Sequence, residues 1–208
     1  SDGLRAYFED FNQPVDDLTR YFESIKKANT GKKIFIYAHS LGTLIALTFI
    51  LGHQKQLAGA IISGTPLEVE AFQPTILVQA GNVLNNILPK MAVTPLPSAG
   101  LSHDSAVVQK YDNDPLVHRG NVRVRMGYHI VHISRAIKAR LSDLTLPLLI
   151  VHGVDDPICP NLGSITLHTG AGSSDKKLKL YDNMFHEIHN EIEQQKVFDD
   201  YIAWLDQH

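Results

Sequence analysis

Apolar residues along this chain recur at two spacings, and the switches between them mark out the elements. Val15, Leu18, Phe22 and Ile25 fall three or four residues apart and predict a helix that opens at Pro14 and stops at Asn29-Thr-Gly31. Asp16 and Asp17 near its start, and Lys26 and Lys27 near its end, suit the helix dipole. Residues 34 to 38 form a continuous apolar run of strand length. Beyond it Leu44, Ile45, Ala46, Leu47 and Ile50 leave almost no polar face, which predicts a buried helix over residues 41–52. Gly59 to Ser63 reads as a second short buried strand. Helix, strand, helix, strand is the alternation of a parallel α/β sheet.

From Gly64 to about Met126 that rhythm breaks, and no strand is predicted. Pro66, Pro74, Pro89, Pro95, Pro97 and Pro115 punctuate the stretch around one strongly apolar helix, predicted over residues 76–88, with Leu77, Leu84, Ile87 and Leu88 among its bulky positions. An insertion of this size in an α/β domain is expected to be a cap or lid. Ile130, Ile133, Ile137 and Leu141 restore the helical stripe. Residues 147–152 are a third buried strand, and a weakly defined helix follows near 161–170. Lys177 to Tyr181 alternates like a strand near a sheet edge. A last helix is expected over 191–205, with Phe198, Tyr201, Ile202 and Leu205 toward the core. The expected division is 1–64 and 126–208 as two parts of one core, and 65–125 as the insertion.

The totals change this picture little. With 208 residues, 44% of them hydrophobic, the chain suits one globular domain with a real core. A net charge of −3 without a basic run argues against nucleic acid as a partner. The single cysteine, Cys159, allows no internal disulfide and fits a reducing compartment. No stretch is long enough to span a bilayer, and the opening Ser1-Asp-Gly-Leu-Arg has no apolar leader. A cytoplasmic or peripheral membrane location is therefore expected, and the missing initiator methionine leads us to expect that something upstream has been removed.

The chemistry is concentrated where the first strand becomes a helix. Ala38-His-Ser40-Leu-Gly42 is a variant of the G-x-S-x-G elbow, in which small neighbours let the backbone double back and push the serine hydroxyl outward. The following helix aims its first N–H groups at the same place, which favours a developing oxyanion. A serine cap on that helix would read the same in isolation. A serine nucleophile needs an imidazole to take its proton and a carboxylate to fix that imidazole's tautomer. Asp155 and Asp156 follow the third strand, and His186 follows the fourth. The order Ser40, Asp156, His186 is the one expected when each residue ends a strand of an α/β-hydrolase sheet. Asp155 reads as a turn residue.

Over essentially its whole length the sequence resembles the monoacylglycerol lipases of the α/β-hydrolase fold, close to the lysophospholipases. The elbow carries the resemblance together with Leu101-Ser-His-Asp104, Tyr111-Asp-Asn-Asp-Pro-Leu116, His152-Gly-Val-Asp-Asp-Pro-Ile-Cys159 and Tyr181-Asp-Asn-Met-Phe-His-Glu-Ile-His-Asn-Glu191. The resemblance implies a partial parallel sheet with helices on both faces and a helical lid. It implies Ser40 as nucleophile, Asp156 as acid, His186 as base and the Leu41 N–H in the oxyanion hole. The implied reaction is hydrolysis of one fatty-acyl ester on glycerol through an acyl-serine, with no metal or organic cofactor. Leu84, Leu88, Val93, Leu96 and Ile158 are the expected acyl contacts, and the lid is expected to bind an acyl chain or rest on a membrane surface.

Two departures from that family pattern stand out. Ala38 replaces the usual glycine. Ser1-Asp-Gly3 resembles the end of the family's Gly-His-Gly-x-Ser-x-Gly segment, so the first half of the sheet, and the loop supplying a second oxyanion donor, are expected to be missing. The chain then reads as a fragment with an open edge on its first strand. Lysophospholipase, thioesterase, peptidase and non-catalytic binding module remain alternatives, because substrate choice lives in the lid. His186-Glu-Ile-His189 is one residue short of a zinc H-E-x-x-H, and His129 and His132 read as ordinary helix-face residues. His39 is expected beside the elbow, and Cys159 near the pocket or in the core.

Overall fold

The computed structural model describes residues 3–72 and 75–208, and side chains except at 72 and 75–77. Ser1, Asp2 and Pro74 lie outside the described residues, and the side chain of Leu77 outside the described side chains. Four strands, β1 (Phe35–His39), β2 (Gly59–Ser63), β5 (Leu148–Gly153) and β6 (Lys176–Tyr181), form a parallel sheet in the order β1-β2-β5-β6. Its register runs Ala38 to Ile62, Ile62 to Ile150 and Ile150 to Leu178. The two central strands, β2 and β5, are buried along their entire length, which is why they read as unbroken apolar runs. Among the described residues β1 and β6 are the edges.

Side-chain alternation along the central strands divides the core in two. Ala60, Ile62, Leu148 and Ile150 face helices α1 (Asn12–Ala28), α2 (Leu41–His53), α5 (Val124–Lys138) and α6 (Leu162–Gly170), with Leu44, Leu47, Phe49 and Ile50 of α2 at the centre. Ile61, Leu149 and Val151 face the other way, onto Val197, Tyr201 and Trp204 of α7 (Gln194–Leu205). The sheet therefore carries helices on both faces, as expected.

The structure corrects the sequence reading in four places. The inward stripe of α7 is Val197, Tyr201 and Trp204, whereas Phe198 and Ile202 are 38% and 55% exposed. Trp204 fixes this rotation by packing edge-on against Phe35 of β1, with ring centroids 5.8 Å apart. Between β2 and α5 lie two strands that were not expected, β3 (Ala92–Thr94) and β4 (Val122–Arg123), paired antiparallel. They are too short to show a period. The insertion holds, after α3 (Thr75–Ile87), a further helix α4 (Ser105–Asn113), also unexpected, whose start is capped by Asp104 Oδ1 accepting from the Ala106 N–H at 2.9 Å. Finally, α5 ends before Leu141, which sits in a 3₁₀ turn beyond it.

The carboxyl end of β5 is locked against the loop after β6. A Cβ on Gly153 would stand 2.2 Å from the Phe185 carbonyl oxygen and 2.3 Å from that of Met184. Backbone on both sides leaves nothing flexible to yield. Gly153→Ala is expected to lower stability by about 2–3 kcal/mol, the usual scale of overpacking, in urea denaturation. An unchanged midpoint would show that this junction has slack.

Candidate active site

Ser40 joins β1 to α2 with φ 51° and ψ −129°, a left-handed backbone that a residue bearing a side chain adopts only under constraint. The constraint is visible. Its N–H donates to the Ser63 carbonyl at 3.0 Å, and its own carbonyl accepts from the Thr43 N–H at 2.9 Å and the Thr43 hydroxyl at 2.7 Å. Although Ser40 occupies the N-cap position, its side chain makes no capping bond, so the capping alternative fails and the hydroxyl is left for other work. Leu41 is the first helical residue, and its N–H has no acceptor within the helix.

Asp156 follows β5 and is buried. Its Oδ1 accepts from the N–H groups of Ile158 and Cys159 at 2.8 and 2.9 Å. Its Oδ2 faces His186 Nδ1 at 2.6 Å and His152 Nε2 at 3.0 Å. Burial pushes the carboxyl pKa up. The hydrogen bonds from the two imidazoles and from the Cys159 N–H outweigh it and hold the group well below the usual carboxylate range. Asp155, one residue earlier, is exposed and donates its N–H to the Met184 carbonyl, the turn residue it was expected to be.

His186 is 4% exposed and fastened from several sides. Its N–H donates to the Gly100 carbonyl, and the Glu187 N–H to the Leu101 carbonyl. Glu191 is the main clamp: it accepts from the Phe185 N–H at 2.7 Å and from the His103 N–H at 3.1 Å, and its Oε1 lies 2.9 Å from His103 Nδ1. The histidine loop is thereby tied to residues 100–103 of the insertion. The imidazole also lies over Gly64, where a Cβ would come within 3.3 Å of its Cε1. Ser63 holds the Ser40 N–H and the next residue, Gly64, lies against the imidazole, so the serine and the histidine border one turn. No hydrogen bond among those of the described residues joins Ser40 Oγ to His186, a looseness common before substrate enters.

Two further histidines complete the surroundings. His39 lies beside the elbow as expected, its ring 4.6 Å from that of His186 and its Nδ1 3.2 Å from Ser63 Oγ, with Nε2 unpartnered. Burial, then the neighbouring His186 and His189, push its pKa down to about 3. His152 is fully buried. Its Nε2 faces two acceptors, Asp156 Oδ2 and the Cys159 carbonyl at 2.8 Å, so Nε2 carries the hydrogen, while Nδ1 meets Ser164 Oγ at 2.7 Å. The sequence reading gave His152 and Glu191 no role, although both stood in the quoted motifs. A histidine four residues before the acid was the available signal. His129 and His132 turn their Nε2 atoms to different partners, the Glu9 carbonyl and Asn82 Oδ1.

A cavity of about 1280 Å³ opens on Ser40 and Leu41. Leu84, Val93, Leu96 and Ile158, named from the sequence as acyl contacts, line it, and Cys159 lines it beside them, the pKa of its thiol pushed up by burial. Leu88 does not line it and is 49% exposed, just past the end of α3. Unforeseen lining comes from the segment Gly3 to Phe8, which showed no period.

The chain matches the family described as serine aminopeptidase, S33 (Hydrolase_4) over residues 1–193. Human monoglyceride lipase is 31% identical over 210 residues, taking in all of this chain and 69% of the human one. Among solved structures, the monoacylglycerol lipase of Paleococcus ferrophilus is similar with a TM-score of 0.79 and 25% identity, over 92% of this chain and 74% of that one. A soluble variant of Saccharomyces cerevisiae monoglyceride lipase, in complex with a substrate analog, gives 0.78 and 26% over 93% and 68%. With the parallel sheet, the left-handed serine and the buried Asp156–His186 pair already described, these likenesses place the chain in the serine aminopeptidase S33 family of α/β-hydrolases, among its monoacylglycerol-lipase-like carboxylic ester hydrolases.

Proposed function

We propose that the chain cleaves the fatty-acyl ester of a monoacylglycerol through an acyl-serine. The observation that carries this reading is the 2.6 Å contact between His186 Nδ1 and a carboxylate whose other positions are already filled, beside a strained serine on the wall of a large cavity. His186 Nε2 takes the Ser40 proton as Oγ attacks the carbonyl carbon. The Leu41 N–H meets the resulting oxyanion, and Asp156 holds the imidazolium in register. Collapse breaks the ester bond, and His186 returns the proton to the departing glycerol oxygen. A water molecule, deprotonated by the same imidazole, then attacks the acyl carbon and releases the fatty acid with Ser40 restored.

Leu41 is the one oxyanion donor assigned among the described residues. Residues 65–125 act as the cap that holds the acyl chain against Leu84, Val93 and Leu96. Away from the cavity this cap exposes Ile87 and Leu88, at 67% and 49%, side chains suited to resting on a lipid surface.

Three measurements test these roles. Ser40→Ala should abolish both monoacylglycerol hydrolysis and fluorophosphonate labelling while leaving the urea midpoint near that of the parent; retained turnover would exclude Ser40 as nucleophile. Ile87→Glu with Leu88→Glu should weaken co-sedimentation with phosphatidylcholine vesicles, and equal sedimentation would remove the membrane contact. The third concerns pH. His39 has a folded pKa near 3, below the roughly 6.5 of an unfolded chain, so the unfolded state takes the proton first and stability falls as pH drops through that window. Between pH 7 and 5 this loss amounts to at most about 2 kcal/mol, and His39→Gln should abolish it. Asp156 contributes outside that range: its depressed pKa gives stability lost only below about pH 4. Parallel stability curves for parent and His39→Gln over pH 5–7 would contradict the buried neutral imidazole.

A further inference from the structure

His152 is a buried titratable group beside the site to which the ester chemistry gives no step. It stands on β5 after Leu148, Leu149, Ile150 and Val151, in a strand buried along its whole length, and is itself fully buried. A histidine in such a run is unfavourable unless both ring nitrogens are engaged. Both are. Nδ1 meets Ser164 Oγ of α6 at 2.7 Å, and Nε2 faces Asp156 Oδ2 at 3.0 Å and the Cys159 carbonyl at 2.8 Å. Two acceptors at Nε2 require the hydrogen there, so His152 donates to the carboxylate.

The oxygen it reaches is the one that His186 uses. Oδ1 of Asp156 is filled by the N–H groups of Ile158 and Cys159, whereas Oδ2 is shared by His152 and, at 2.6 Å, His186 Nδ1. Two imidazoles therefore divide the charge of one oxygen, and what His152 draws is withheld from His186. At this carboxyl burial raises the pKa, and the His152 hydrogen bond is the first of the influences that overcome it. Other titratable groups near the His186 ring are His39 of the elbow, 4.6 Å away between ring centroids, His189 and Glu187 of its own loop, and Cys159 beside the acid. Among the described residues Asp156 alone is hydrogen-bonded to that ring.

We propose that His152 is a positioning residue that sets the proton affinity of the Asp156–His186 pair, by holding Oδ2 in place and sharing its charge. Without it, Oδ2 turns its full charge on His186, and the pair takes up a proton at higher pH. A glutamine at 152 offers a side-chain N–H where Nε2 stands; a leucine offers none. This deepens the Ser40 reading and rests on it for turnover, but not for the titration of the pair.

The His186 ring Cε1–H resonance, followed against pH by nuclear magnetic resonance, reads the pair without turnover. His152→Leu should move the midpoint up by about 0.5–1 pH unit, the scale of one lost hydrogen bond to a charged group, and His152→Gln should restore it. Equal midpoints in the parent and His152→Leu would overturn the proposal. So would equal displacement by leucine and glutamine, the result of disturbed packing alone. If the leucine variant does not fold, the unsubstituted protein decides: ring nitrogen-15 shifts of His152 should show Nε2 protonated at neutral pH, and a bare Nε2 would overturn the assignment. Turnover is read separately. His152→Leu should lower kcat about tenfold with KM unchanged, as loss of a group that orients a reacting side chain does, and the acid limb of kcat/KM should follow the midpoint. A parent without turnover would refute ester hydrolysis and leave the titration to judge His152.

Discussion

A buried carboxylate is the constraint around which the rest of this molecule is arranged. An ionised group taken out of water is costly unless its oxygens are fully engaged. Asp156 has two backbone N–H groups on one oxygen and two imidazole nitrogens at the other. Each donor depends on a different part of the fold. The turn at residues 156–159 supplies the backbone pair, strand β5 supplies His152, and the loop after β6 supplies His186. Removing any one would leave a buried negative charge short of a partner, so the constellation and the stability of this end of the sheet are one problem.

That dependence explains why the connections around β5 are tight. Gly153 admits no side chain because the carbonyls of Met184 and Phe185 lie against it, and this closeness carries His186 up to the carboxylate. Glu191 then ties the same loop to Ser102 and His103 at the base of the insertion. A second buried carboxylate thus couples the insertion to the histidine. Movement of the cap relative to the sheet would be felt at His186 through this clamp.

The sequence revealed the sheet and the proposed triad because both rest on local signals. A buried parallel strand is a short unbroken apolar run, and residues 34–38, 59–63 and 147–152 could be nothing else at that length. Ser40 and Asp156 follow such runs, and His186 follows the alternating strand at 177–181. Long-range packing was not legible. The rotation of α7 is set by Trp204 against Phe35, a residue far away in the sequence, and a stripe drawn from spacing alone chose Phe198 and Ile202 instead. Strands of two and three residues, such as β3 and β4, have no period to read. Leu88 was misplaced for a related reason: the spacing of an apolar helix shows that it has a greasy face, but not which of its last residues turns toward the cavity.

The division of labour in the cavity follows from the same geometry. Everything proposed to move protons hangs from the sheet: Ser40 at the end of β1, Asp156 after β5, His186 after β6. What touches the rest of a substrate comes from the insertion and from the segment 3–8, joined to each other by Arg5 on the carbonyls of Pro115 and Leu116. The sheet is held by two apolar cores and tolerates little change. The cap wall is held largely by side chains donating to carbonyls, bonds that can be exchanged one residue at a time without opening either core. Selection among ester substrates can therefore drift while the proton-transfer machinery stays fixed.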